Sequence, residues 1–151
     1  MKGDIVTADA MSCRKKIVEK IIDRKADYTI GLKQNQPALY KDTEDYFKEF
    51  SANISSKTTI EKGHGRIEKR EYQLLTDLSW LEQKNEWKGL NALGCARSTI
   101  AENGEIREFT RYFITSLTDL ETFADSLRKH WSIENQLHWC LDVVFREDAS
   151  R

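Results

Sequence analysis

From Leu120 to Phe145 apolar residues recur every three or four positions. Leu120, Ala124, Leu127, Trp131, Leu141 and Phe145 fall on one face of a 3.6-residue period, with Glu134 and His138 in the same stripe. The pattern predicts an amphipathic helix opened by Thr118 and Asp119, with Glu121 close by. The carboxylate of Glu134 is the anomaly. Burying an ionised carboxylate costs on the order of several kcal/mol unless a partner or a metal ion compensates it.

The first third of the chain has a different rhythm. Asp4 to Ala8 is a short β-type run. Ile17, Val18, Ile21 and Ile22 then mark a helix from about Met11 to Ala26, Tyr28 to Leu32 has strand length, and Pro37 opens a second helix buried through Leu39, Tyr46, Phe47 and Phe50. A strand, helix, strand sequence of this length predicts two parallel strands joined by a right-handed crossover. The carboxyl ends of such strands form the functional edge, where Asp9 and Lys33 emerge. Asp9 reads equally as a helix cap or first-turn acid. Lys33, followed by Asn35 and Gln36, is either a phosphate contact or a solvated loop lysine.

From about Thr58 to Ser116 the period falls to two, and Asn103-Gly104 between two β-type runs signals a tight hairpin. The segment EKGHGRIEKR, residues 61–70, gathers Lys62, His64, Arg66, Lys69 and Arg70 in what reads as a loop, either a phosphate-contacting finger or a solvated hairpin tip. The fold class is therefore α/β. Three segments form one structural unit: residues 1–52, a β-rich stretch over 53–117, and the closing helix over 118–151.

Composition narrows the function classes. With 39% hydrophobic and 32% charged residues the chain is an ordinary globular protein, and no apolar run approaches the roughly 20 residues that cross a bilayer. The N-terminus lacks the apolar core of a signal peptide, so a cytoplasmic location is expected, with no membrane partner. Cys13, Cys95 and Cys140 are odd in number and far apart, which reads as buried thiols rather than disulfides or zinc ligands. Net charge is −1, so any contact with DNA must come from local basic patches.

His130, Glu134 and His138 are spaced by four and project to one side of the helix. One reading is a carboxylate held between histidines in a packed interface. A second is zinc, without a general-base or third-ligand motif to accompany it. The third is that Glu134 meets Asp9 at the carboxyl edge of the sheet and the two hold Mg²⁺ or Mn²⁺, which prefer oxygen ligands. Two such ions can activate a water or a 3′ hydroxyl and stabilise the leaving oxygen during attack on a phosphodiester. Trp131 and Trp139 either stack on bases or pack.

TADAM (7–11), GLKQNQ (31–36), HGRIEKR (64–70) and above all RKHWSIENQLHWCLDVVFRED (128–148) resemble the H-repeat-associated proteins, a branch of the DDE insertion-sequence transposases linked to Rhs elements. The resemblance covers essentially the whole chain. It implies a ribonuclease H-like core, here partial, with a β-rich insertion before the last acidic helix. It implies that Asp9 is the second and Glu134 the third acid of a metal-binding triad, with a two-metal Mg²⁺ or Mn²⁺ site. It implies DNA cleavage and strand transfer in transposition, with transposon ends and target DNA as partners, self-association, and no small-molecule substrate. The family's first aspartate lies well upstream of the second, whereas Asp9 stands near the start of this chain. A C-terminal transposase portion with an incomplete site and weak or absent strand transfer is therefore expected, and the Asp4 to Ala8 strand should have an open edge. The wider superfamily's Tyr-x2-Arg-x3-Glu-x6-Lys pattern falls on Leu127, His130, Glu134 and Leu141. Lys33, His64, Arg66, Arg128 and His130 are the candidates for contacts with DNA. The competing expectation is a non-catalytic remnant that binds DNA or a protein partner through its β-rich segment.

Overall fold

The computed structural model describes residues 4–131. β1 (Ile5–Ala8) and β2 (Asp27–Leu32) are parallel and joined across α1 (Lys15–Asp23), as the strand, helix, strand pattern requires. α2 (Pro37–Phe50) follows, with Pro37 in its first turn. Then come β3 (Ser56–Gly63), β4 (Arg66–Leu75), β5 (Ala92–Glu102) and β6 (Glu105–Thr115). They continue the same sheet rather than forming a second one: β6 returns antiparallel to β2, and the order is β1-β2-β6-β5-β4-β3. A final helix, α3, is described over residues 120–131.

Alternation along the strands divides the core in two. Tyr28, Ile30, Leu93, Cys95, Tyr112 and Ile114 point to the face covered by α1 and α2, where Val18, Leu39 and Phe47 are buried. Tyr72, Leu74, Ala92, Ala96 and Phe113 point to the other face, under Phe123, Ala124, Leu127 and Trp131 of α3. The arrangement is a mixed α/β sandwich, helices on both faces of one six-stranded sheet. Among the described residues no helix is long and apolar enough to cross a membrane.

Gly94 is what lets α3 lie flat. A β-carbon added there would stand 2.3 Å from Cζ of Phe123, so the aromatic ring occupies the space a side chain would need. Asp119 caps the helix, its carboxylate accepting hydrogen bonds from the Thr122 N–H at 2.9 Å and hydroxyl at 2.7 Å. Lys57 of β3 pairs with Glu121 in the first turn.

Several local expectations shift. The α1 helix is shorter than Met11 to Ala26: a 3₁₀ turn, Ala10–Ser12, comes first, and extended Arg14 precedes Lys15. Residues 61–70 are not a loop. The strands β3 and β4 run through them, leaving His64 and Gly65, both with positive φ (54° and 74°), as a two-residue turn. Asn103 and Gly104 make the same turn, with φ of 53° and 79°, where the sequence placed it. Ile17 and Phe50, assigned to buried faces, are 37% exposed. Cys13 and Cys95 are buried thiols, as read, and burial pushes their pKa values up to about 12 and about 11.

A candidate metal and nucleic-acid cleft

Asp9 follows β1 directly, at the carboxyl edge of the parallel pair, with extended backbone (φ −74°, ψ 168°) ahead of the 3₁₀ turn. Its side chain makes no capping hydrogen bond and is 74% exposed, so the carboxylate is not consumed by the cap that the sequence left open as an alternative. The backbone beyond it is held from below by the motif GLKQNQ. The Asn35 amide donates to the Ala10 carbonyl at 2.9 Å, and the Gln36 amide to the Cys13 carbonyl at 3.0 Å. Gly31 belongs to the same device, because a β-carbon there would lie 3.1 Å from the Ala10 nitrogen, closer than ordinary packing.

α3 reaches this edge from the other face of the sheet. His130 Nδ1 and the Thr7 hydroxyl are 3.0 Å apart, and His130 Nε2 stands 3.7 Å from Asp9 Oδ1. Asp9, Thr7, Gly31, Lys33, Arg111 and His130 surround a cleft of about 320 Å³. Asp9 is the one carboxylate in the lining of that cleft among the described residues, and no group of three metal-ligating side chains forms among them. Asp9 is a hard oxygen donor open to solvent, which suits Mg²⁺ or Mn²⁺ better than a soft metal. Glu134, and with it His138 and Trp139, lies outside the described residues.

The DNA-contact candidates separate. Lys33 is exposed on the rim of this cleft and of a neighbouring one of about 490 Å³. His130 is inside it. Arg128 points elsewhere, 3.7 Å from Asp125 one turn back. Arg66 lies 3.4 Å from Glu68, which also accepts from Arg70 at 2.8 Å, so that carboxylate offsets part of the basic charge read from HGRIEKR. His64 sits at the tip of the β3–β4 hairpin and lines neither cleft. Trp131 packs, 7% exposed, between the sheet and two guanidiniums.

Thr7 and Arg111 line the cleft without having been singled out in the sequence. Arg111 had a readable signal: IREFTRYF places Arg107, Phe109, Arg111 and Phe113 at alternate positions, hence on one face, and Phe113 is core. Thr7 had none beyond its place in a β-type run.

A transposase DDE domain model matches residues 1–151. The chain belongs to the transposase DDE domain family. Among the relatives of this DDE chain, YbfL of Escherichia coli K12 is 44% identical over 159 residues, which is 98% of this chain and 42% of that protein. The H repeat-associated protein YhhI of the same strain is 43% identical, with the same coverage. YncI of Escherichia coli O157:H7 is 37% identical over 164 residues, covering all of this chain and 41% of its own length. YhhI and YncI carry the word transposase in their names. The chain thus spans about two fifths of the relatives it matches. No solved structure matches it significantly.

Proposed function

We propose that this DDE chain is a transposase portion for metal-dependent DNA cleavage and strand transfer, with Asp9 and Glu134 as metal ligands. The single observation that carries the reading is the 3.7 Å approach of His130 on α3 to Asp9 just after β1, residues far apart in sequence. Glu134 follows His130 by four positions, the spacing that stacks two side chains on one helix face. That spacing is the link between Glu134 and the Asp9 cleft. A ribonuclease H-like core, formed by residues 1–52 and 118–151 with 53–117 as a β-rich insertion, accords with the parallel crossover, the acid at its carboxyl end and helices on both sheet faces.

Bound Mg²⁺ or Mn²⁺ would supply activation of the attacking oxygen and stabilisation of the leaving one. The chain's own groups have simpler tasks. Asp9 offers a ligand held by the Asn35 and Gln36 hydrogen bonds, the Thr7 hydroxyl orients the His130 ring, and Lys33 brings positive charge to the rim beside DNA.

Thermal melting tests the metal site. Millimolar Mg²⁺ or Mn²⁺ should raise Tm by mass action, and Asp9→Asn or Glu134→Gln should remove the shift. No metal-dependent shift in the wild type would overturn the site. In a supercoiled-plasmid assay with Mn²⁺ we expect strand transfer to be weak or absent. Turnover that disappears in Glu134→Gln would contradict the expected inactivity while supporting the acid's role.

A further inference from the structure

The Asp9 cleft does not end at Asp9. Arg111 and Trp131 belong to its lining and also to that of a second groove, about 180 Å³, which runs outward over β5 and β4 past Ser98 to Arg70 and Arg66. Lys33 and Arg111 share the rim at the point where β2 ends, next to the register pair Leu32 and Tyr112. A continuous groove therefore starts at the candidate metal ligand and crosses the sheet toward the tip of the β3–β4 hairpin.

The charges along this groove are unequally matched. Arg70 and Arg111 both stand over the Trp131 ring, their Cζ atoms 4.6 Å and 5.6 Å from its centroid. Arg70 is 11% exposed and Glu68 neutralises it at 2.8 Å. Elsewhere on β4 to β6 and α3, Arg66 also has Glu68, Arg97 has Glu71, Arg107 has Glu102 and Arg128 has Asp125. Arg111 is exposed, and among the described residues it is the one arginine of these elements without a carboxylate within ion-pairing distance. Two guanidiniums converging on one ring with a single carboxylate between them leave a fixed excess of positive charge. The flat ring restricts Arg111 while leaving its donors open to solvent, an arrangement suited to an anion with several acceptor oxygens.

We propose that Arg111 grips a backbone phosphate of DNA lying across this groove, with Lys33 as its neighbouring contact, so that the strand leaves the Asp9 cleft toward β4. The proposal rests on the reading that DNA occupies that cleft, and it assigns the path of the strand and the residue that fixes it. The contact is to phosphate and carries no sequence preference.

The test uses the full chain in EDTA, which separates it from the metal reading. Anisotropy of a labelled DNA duplex is followed over a salt series, and the slope of log Kd against log salt counts phosphate contacts. Arg111→Ala should flatten that slope by about 0.9, one contact's worth, and Arg111→Lys should keep it. Arg107→Ala, on the same strand but paired with Glu102, should leave it unchanged. Circular dichroism melting of each variant confirms that it is folded. If Arg111→Lys is folded and binds with the slope of Arg111→Ala, or if Arg111→Ala keeps the wild-type slope, the proposal is overturned while a metal-induced Tm shift still stands. If the wild type binds no duplex even at low salt, the groove carries no strand and the proposal fails as well.

Discussion

Gly31, Asn35 and Gln36 do for Asp9 what no single neighbour could: the glycine admits the chain, and the two amides tie down its carbonyls. Asn35→Ala leaves the Ala10 carbonyl without its side-chain donor, and we expect a loss of about 1 kcal/mol in chemical denaturation. The same variant should blunt any metal-induced rise in Tm, because the ligand is then less firmly presented. Gly31→Ala presses a methyl group against the Ala10 nitrogen and should cost about 1–3 kcal/mol. The buried thiols make a separate prediction. Burial raises the pKa of Cys13 and Cys95 to about 12 and about 11, so at neutral pH both stay protonated. Peptide mapping after treatment with a thiol reagent should show them modified in denaturant and spared in the native protein.

α3 is the element on which the candidate site most depends, and its first turn is sensitive to acid. The Thr122 hydroxyl and N–H hold the Asp119 carboxyl below its usual pKa. A depressed carboxylate contributes stability that is fully present above its unfolded pKa, about 4, and lost as pH falls through the lower folded value. Asp119→Ala should therefore lower Tm at neutral pH, and the gap from wild type should close in acid. Much of this element was legible in the sequence: Ala124, Leu127 and Trp131 are buried as the 3.6-residue stripe requires, and the start at Thr118-Asp119 holds. Phe123 is equally buried but was not counted, because the stripe was drawn narrower than the apolar face of a helix packed on a sheet. Asn103-Gly104 announced its hairpin, whereas at His64-Gly65 a hairpin tip was one of two readings, because the flanking charges suggested a longer loop. The hydrogen bonds of Asn35 and Gln36 join segments more than twenty residues apart, which no local pattern records.

At the scale of the whole molecule, strand order decides where the chain is vulnerable. β1 lies at one end of the sheet, and among the described residues no strand pairs with its outer side, so its backbone groups offer a template for another strand. Sedimentation velocity should show association that rises with concentration, and Ile5→Lys, at a position 37% exposed on this strand, should suppress it. A monomer at all concentrations would count against that edge being sticky. Parallel pairing and the crossover could be inferred from the alternating segments, but the joining of β6 to β2 could not, because it pairs residues eighty or more positions apart. That joining puts Arg111 beside Lys33, and so a basic rim beside the acid.

Phe123 resting on Gly94 gives the closing helix a fulcrum. One end is moored by Asp119 and by Lys57 with Glu121, and the other lies over Thr7 and Asp9. A single methyl group at Gly94 would lift the middle of that lever and displace its tip, so the Asp9 cleft is exposed to injury at a residue outside its own lining.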